Sequence, residues 1–279
     1  MTDDARRQTP DARRRTDTLR VALADLPVTA DLAATVAAVE AALRAAKQAG
    51  ARILLTPECV LGGYPPATAC AVNACDPCAL AEAEDRLCLV AERLGLVLVL
   101  GTREAGPTGW TNQALVGGAI VPRRYRKRSL TPLDREHFTA GTDALLVAID
   151  GWSCGIGICY DLRFAPVWAD LAQAGADVFL VIAHMAGADP DPGVKARIVP
   201  QLCAVRAAEW ATPLAFCNTP ATDRWCASGA WDGRGMPIEP TVVEGLAVVD
   251  LPRRETQGPW YATLRQDHLL ACKSPTAQA

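Results

Sequence analysis

Short segments of continuously apolar residues alternate along the chain with longer segments of helical character. Apolar runs of this length are typical of strands that are buried on both faces. The predicted strands are 19–26, 52–56, 96–102, 112–121, 144–150, 153–159, 177–183, 213–218, 226–232 and 244–250, and the predicted helices are 31–49, 79–94, 166–174 and 194–210. The alternation predicts an α/β fold with helices covering the sheet. No internal repeat and no Pro/Gly/Ser-rich linker divides the chain, so we expect a single domain.

The composition is that of a globular protein, and it argues against several classes of function. Of the 279 residues, 50% are hydrophobic and 21% are charged, and the formal net charge is −3. This near balance of charge gives no electrostatic basis for binding nucleic acid or an anionic membrane. No segment has the roughly 18 uninterrupted apolar residues that a transmembrane helix needs.

The N-terminal residues 1–18 mix arginines with aspartates and contain no apolar stretch of the kind found in secretory signals. The aspartates also argue against a mitochondrial presequence, because such presequences are poor in acidic residues. We therefore predict a disordered tail and a cytoplasmic protein.

The chain contains eleven cysteines, an odd number that argues against a fully paired disulfide framework. Without an export signal, reduced thiols are expected, most of them in the core. Cys75 and Cys78 form a C-x-x-C motif with Cys70 nearby. A second pair at a suitable spacing is missing, and Cys88 falls within a predicted helix, so we expect no metal site.

Three segments that follow apolar strands carry the side chains suited to catalysis. They are LLTPECVLGGYP (54–65), YRKRSLTPLDREHFTAG (125–141) and CGIGICYDLRF (154–164). Each key residue alone has an ordinary explanation: Glu58 as a surface carboxylate, Lys127 in a solvated basic run, Cys159 as one more buried thiol. Together they are more specific, because sites in α/β sheets assemble where strands end. We therefore expect the carboxylate, the ammonium and the thiol to converge.

The order Glu–Lys–Cys, with PE, YRK and GIGICYDLRF around the three residues, resembles the nitrilase (carbon–nitrogen hydrolase) superfamily. The resemblance covers about residues 19–262. It implies an α-β-β-α sandwich in which two sheets pack face to face with helices outside. It also implies a homodimer or a higher homo-oligomer. The C-terminal extension 263–279 lies beyond the resemblance, and we expect 263–270 to reach a subunit interface and 271–279 to be disordered.

The resemblance also implies a role for each residue of the triad. Cys159 is the nucleophile, Glu58 the general base, and Lys127 the group that stabilises the tetrahedral intermediate. Glu136, in EHFTAG, corresponds to a second glutamate that orients the lysine and the substrate. A thiol attacks an amide carbon once a base takes its proton, and the backbone N–H of Tyr160 is the expected second oxyanion donor. This chemistry requires neither a metal nor an organic cofactor.

Several positions depart from the superfamily pattern or match it more weakly. His184 and Met185 stand where relatives often carry proline and small residues, and we expect them to line the substrate pocket. Ser129 replaces a frequent histidine, and Ala165-Pro166 replaces proline-glutamate. The weaker matches, which we interpret as structural, are Asn112, Arg206, Glu209, Asp232 and Gly233.

The residues after the nucleophile favour amides, because Tyr160 and Asp161 stand where nitrile-cleaving relatives commonly carry tryptophan and glutamate. CYDLRF most resembles the amidase branch that acts on ω-amides of dicarboxylates and on deaminated glutathione. The expected partner is thus a small-molecule amide. N-carbamoyl compounds, and then nitriles, are the alternatives within the superfamily. Two other classes stay open, a glutaminase subunit of a synthetase and a non-catalytic binding protein.

Overall fold

The computed structural model describes residues 17–65, 75–187 and 193–271. Thirteen strands form within these ranges: β1 Thr18–Leu23, β2 Ile53–Leu55, β3 Val97–Gly106, β4 Gly109–Gly118, β5 Arg123–Arg126, β6 Leu146–Ile149, β7 Trp152–Ile158, β8 Val178–Ile182, β9 Leu214–Cys217, β10 Gly229–Trp231, β11 Pro237–Ile238, β12 Thr241–Val243 and β13 Leu246–Pro252. The α-helices are α1 Leu32–Gln48, α2 Pro77–Leu94, α3 Ala165–Gln173, α4 Val194–Glu209 and α5 Pro259–Ala271.

The strands form two sheets of similar plan. One has seven strands in the order β12-β13-β1-β2-β3-β4-β5, and the other has six in the order β11-β10-β9-β8-β7-β6. Each sheet has a parallel centre, β1-β2-β3 in the first and β7-β8-β9 in the second, and antiparallel strands at its edges. The parallel strands all end at the same edge of their sheet, which places the loops that follow them side by side.

Side chains of the central strands alternate between two apolar layers. Ile53 and Leu55 face the second sheet and join the main core, whereas Leu54 between them faces the outer helices α1 and α2. Helices α3 and α4 cover the second sheet, with Trp168 buried against it. Both faces of the central strands are therefore buried, which explains their continuous apolar sequences. The prediction of a single-domain α-β-β-α sandwich is confirmed.

Some elements differ from the sequence prediction. The basic run Arg123–Arg126, for which no strand was predicted, forms an edge strand that pairs with β4 and buries Tyr125, while its three arginines stay exposed. The strand predicted at 226–232 is reduced to Gly229–Trp231. Its first residue, Cys226, lies outside any strand and accepts a hydrogen bond of 2.8 Å from Asn218 Nδ2, and the preceding Trp225 N–H donates to Met185 O over 2.8 Å.

The chain ends also differ in part from expectation. Residues 1–16 lie outside the described residues, and Thr18, predicted to be disordered, already begins β1. Helix α5 was not predicted, and it packs on its own chain. Arg265 donates to the carbonyl oxygens of Trp210, Ala172 and Ala176 over 2.8–3.1 Å. The expected reach of 263–270 to a partner subunit stays a prediction, and residues 272–279 lie outside the described ranges.

Candidate active site

The Glu58 side chain sits in a tight turn directly after β2, at the edge where the parallel strands end. The turn lies so close to β3 that a Cβ atom on Gly101 would stand 1.9 Å from Pro57 O. Glu58 N–H donates to Ala183 O, 3.2 Å away, at the end of β8 in the other sheet. Because Gly101 has no side chain, the turn can lie directly against β3. The hydrogen bond from Glu58 to Ala183 then connects the two sheets beside the carboxylate.

Cys159 follows β7 and opens a 3₁₀ turn, Cys159–Arg163, which we call the nucleophile turn. Its φ of +48° is unusual for a residue with a side chain. Strained backbone of this kind is concentrated at functional positions, where the surroundings hold it in place. Trp168 provides part of that hold: its indole N–H donates to Asp161 O over 3.0 Å, and its ring covers Gly157, where a Cβ atom would stand 2.6 Å from it.

Lys127 follows the edge strand β5 and is 1% exposed. Its ammonium donates to Glu58 Oε1 over 2.6 Å and to Asp134 Oδ2 over 2.8 Å. Both carboxylates are fully buried, with exposures of 0%. A buried ammonium held between two carboxylates is well compensated electrostatically, since an unpaired buried charge would be strongly destabilising.

The Glu58 carboxylate receives hydrogen bonds from three separate segments. Besides Lys127, Asn112 Nδ2 donates to Oε1 over 2.7 Å, and the backbone N–H of His184 donates to Oε2 over 2.9 Å. Asn112, interpreted as structural from the sequence, therefore contacts the predicted general base. This hydrogen bond restrains the orientation of the carboxylate.

The structure does not bring Glu136 to this cluster, which corrects the expectation that it orients the lysine. Glu136 is exposed, whereas Asp134, two residues earlier in the same 3₁₀ turn, is fully buried against the ammonium. The turn Asp134–Glu136 is short, and its first residue points inwards. Asp134 also accepts a hydrogen bond of 2.6 Å from the Tyr64 hydroxyl.

Asp161 links the nucleophile turn to the segment around Lys127. Its buried carboxylate accepts hydrogen bonds from the Ile158 N–H at 3.0 Å, the Ser129 N–H at 2.8 Å and the Tyr125 hydroxyl at 2.8 Å. Tyr125 and Ser129 stand on either side of the lysine. Because this bond comes from the backbone N–H of Ser129, it does not depend on which side chain stands at position 129.

The remaining weak sequence matches have structural partners. Arg206 on α4 donates to Leu162 O in the nucleophile turn over 3.2 Å and pairs with Glu209 over 2.9 Å. Asp232 accepts from the backbone of the turn between β10 and β11, as expected for a residue that shapes a hairpin.

The electrostatics of the cluster favour a protonated thiol beside charged partners. Burial, the Glu58 charge and a hydrogen bond to Glu58 raise the pKa of the Cys159 thiol well above its ordinary value, and nearby Lys127 only partly opposes them. Burial lowers the pKa of the Lys127 ammonium, but Glu58, Cys159 and Asp134 outweigh burial and hold it well above its usual range. The lysine therefore stays charged, and the thiol needs a base before it can attack.

Described residues from both sheets line an open cavity of about 820 Å³ that reaches Cys159. The predicted residues Tyr160, His184 and Met185 all line it. Burial lowers the pKa of the His184 imidazole, which keeps the ring neutral around pH 7. Apolar and aromatic walls with a few polar groups are typical of sites for small organic molecules.

Two residues of the cluster, Tyr64 and Asp134, were missed by sequence reasoning. Both lie within the quoted segments, in GGYP and LDRE. The one available signal was the presence of two carboxylates in DRE, and the sequence does not reveal which of them a short turn directs inwards.

The described part of the chain contains neither a cluster suited to a metal ion nor a helix suited to a membrane. No group of three or more His, Cys, Asp or Glu side chains there is arranged to hold a metal ion. Cys75 is half-buried and Cys78 exposed, while Cys70 lies outside the described ranges. None of the described helices is both long and apolar enough to cross a bilayer.

Comparison with known families agrees with this geometry. The sequence profile described as carbon-nitrogen hydrolase matches residues 20–257, most of the chain. The chain belongs to this family. The resemblance to the nitrilase superfamily is therefore confirmed, and the prediction of a carbon–nitrogen hydrolase is confirmed at the level of the family.

Individual relatives of this carbon–nitrogen hydrolase family member include two curated bacterial proteins. A protein named "Hydrolase in pqqF 5'region" from Pseudomonas protegens is 33% identical over 193 residues, which are 64% of this chain and 64% of that protein. A glutamine-dependent NAD(+) synthetase from Xanthomonas campestris is 33% identical over 174 residues, 59% of this chain and 31% of that protein. The chain thus spans less than two thirds of either relative.

Among solved structures, the amidase from Nesterenkonia sp. AN1 is similar over nearly the whole chain. One of its mutants, which carries the acetamide moiety of fluoroacetamide covalently at its active site cysteine, has a TM-score of 0.69 and 26% identity. The alignment covers 91% of this chain and 94% of that one.

Proposed function

We propose that the protein hydrolyses the C–N bond of a small-molecule amide through a thioester on Cys159. The observation that supports this most is the buried cluster of Cys159, Glu58 and Lys127, in which Cys159 lines the cavity. These are the three groups that an amide hydrolase needs: a nucleophile, a base and a cation for the oxyanion. A non-catalytic binding protein would have no need to bury them together.

In the proposed first step, the Cys159 sulfur attacks the amide carbon while Glu58 takes the thiol proton. The carbonyl oxygen becomes an oxyanion, stabilised by the Lys127 ammonium and by the backbone N–H of Tyr160. Because Lys127 is held by Glu58 and Asp134 before substrate arrives, little reorganisation accompanies this charge development. The intermediate then collapses, the C–N bond breaks, and Glu58 gives its proton to the departing ammonia or amine.

In the second step, water attacks the thioester carbon and passes a proton to Glu58. The tetrahedral intermediate collapses, the C–S bond breaks, and the sulfur recovers its proton from Glu58. The products are a carboxylic acid and the free enzyme. One carboxylate thus acts as base and acid in turn, which its hydrogen bonds from Lys127, Asn112 and the His184 N–H permit by fixing its position.

A second candidate is the release of ammonia from glutamine for a separate synthetase subunit. The similarity to a glutamine-dependent NAD(+) synthetase favours it. The chemistry at Cys159 would be the same, because the side chain of glutamine is a primary amide. The two candidates therefore differ in substrate and partner, not in the catalytic residues.

The test is ammonia release from a panel of simple aliphatic amides, ω-amides of dicarboxylates, glutamine, N-carbamoyl compounds and nitriles. Cys159→Ala is assayed beside the wild type, and Cys226→Ala, which changes a buried thiol that does not line the cavity, serves as the matched control. We expect turnover of at least one amide by the wild type and the control, and at most residual turnover by Cys159→Ala, at least about 10³-fold lower.

Trapping of the acyl-enzyme by acid quench and mass spectrometry adds a direct readout. An acyl mass on the peptide that contains Cys159 supports the thioester. Turnover that survives Cys159→Ala would rule the mechanism out. Preferred turnover of N-carbamoyl compounds or nitriles would keep the nucleophile but replace the substrate class.

A further inference from the structure

Tyr64 contacts Asp134 and His184, the two residues that hydrogen-bond to Lys127 and to Glu58 respectively. Its hydroxyl donates to Asp134 Oδ1 over 2.6 Å, and its ring centroid lies 5.0 Å from that of His184. The N–H of His184 in turn donates to Glu58 Oε2 over 2.9 Å. Tyr64 is 8% exposed and lines the cavity together with Cys159.

The Asp134 carboxylate divides its two oxygens between different donors. Oδ2 accepts from Lys127 Nζ at 2.8 Å and from the Thr131 N–H at 2.9 Å, while Oδ1 accepts from Tyr64. With both oxygens held, the carboxylate cannot rotate freely about its Cβ–Cγ bond. Since Lys127 Nζ also donates to Glu58, the orientation of Asp134 decides where the ammonium sits between the two acids.

We propose that Tyr64 is a positioning residue that acts through Asp134 to hold the Lys127 ammonium where the oxyanion forms. This inference rests on the proposed function, because it concerns the reaction at Cys159. Donors that are fixed before charge develops contribute most to stabilising a transition state. The Tyr64 hydroxyl acts here on the lysine rather than on the substrate, so its loss is expected to lower kcat and leave KM nearly unchanged.

The same contact has a consequence for the pH profile. Burial raises the pKa of the Asp134 carboxyl, but the Lys127 ammonium and the Tyr64 hydrogen bond outweigh burial and hold it below its usual range. Removing the hydroxyl raises that pKa, so Asp134 becomes protonated at a higher pH and the acidic limb of kcat moves upwards. The titratable groups that face this carboxylate and share its field are Glu58, Cys59, Tyr64, Lys127 and Cys159.

The experiment compares Tyr64→Phe with the wild type on the best amide of the panel, with kcat and KM measured across the pH range. Phenylalanine keeps the ring that packs on His184 and removes only the hydroxyl. We expect kcat to fall roughly 10-fold, the order expected for one hydrogen bond to a charged group, with KM within about 2-fold. Tyr261→Phe, on helix α5 outside the cavity, removes a hydroxyl elsewhere and is the matched control.

A double-mutant cycle with Asp134→Asn separates positioning from a general structural role. If Tyr64 acts through Asp134, losing the hydroxyl costs roughly 10-fold in the wild-type background and less than about 2-fold in the Asp134→Asn background. An equal cost in both backgrounds overturns the inference. The inference is also overturned if Tyr64→Phe has the kcat of the wild type and the acidic limb of its pH profile does not move. That result would leave the proposed function standing. Absence of Cys159-dependent turnover in the wild type would overturn both.

Discussion

Two acidic residues of one short turn, Asp134 and Glu136, show at the residue scale that position within the turn determines which side chain is buried. Both belong to one 3₁₀ turn, yet one carboxylate is fully buried against Lys127 and the other is exposed to solvent. From the family pattern, Glu136 was expected to orient Lys127. In the structure the aspartate makes this contact, because Lys127 Nζ donates to Asp134 Oδ2 over 2.8 Å.

A matched pair of substitutions tests this difference. Asp134→Asn removes a charge that holds the lysine, and we expect kcat on an amide substrate to fall at least about 10²-fold. Glu136→Gln removes an equal charge at the surface, and we expect kcat within about 2-fold of wild type. Steady-state ammonia release measures both. The reverse ranking would restore Glu136 as the orienting residue.

At the scale of elements, the strands that were predicted and those that were missed differ in their burial. Central strands such as β3 and β8 are buried on both faces, so their apolar runs were readable from the sequence alone. Strand β5, which directly precedes Lys127, buries a single side chain, Tyr125, and its arginines gave no strand pattern. The convergence of Glu58, Lys127 and Cys159 was predictable from strand ends, but the partners of each group were not, because they depend on loop conformation.

The turn that carries Glu58 can pack against β3 only because Gly101 has no side chain. Gly101→Ala would set a methyl group 1.9 Å from Pro57 O, so the turn must move. We expect the free energy of unfolding to fall by at least about 3 kcal/mol, with activity lost even where the protein folds. Gly106→Ala on the same strand meets only Gly109 O at 3.5 Å and is the control. Urea denaturation of the two variants measures the difference, and equal stability would contradict the packing argument.

At the scale of the whole molecule, one buried guanidinium fastens helix α5 to the second sheet's helices. Arg265 donates to three carbonyl oxygens and to the Thr212 hydroxyl. Residues 259–271 show no apolar periodicity, which explains why the helix was not predicted from the sequence. Loss of the guanidinium leaves buried carbonyl oxygens without this donor.

We therefore expect Arg265→Met, which keeps an apolar stem of similar length, to lower the free energy of unfolding by about 2–4 kcal/mol. Arg44→Met breaks only an exposed ion pair of 3.6 Å with Glu40 and should cost less than about 1 kcal/mol. Urea denaturation monitored by circular dichroism gives both values. A cost for Arg265→Met no larger than for Arg44→Met would show that α5 is held by other contacts.

The cavity is walled by loops from both sheets, with Tyr64 from the first and Cys159, Tyr160 and His184 from the second. A molecule bound there touches both halves of the sandwich at once and resists their separation. Occupancy and folding are then thermodynamically linked, and the linkage grows with ligand concentration relative to its dissociation constant. An unreactive substrate analogue would act as a clamp on the sandwich as well as an inhibitor of the reaction.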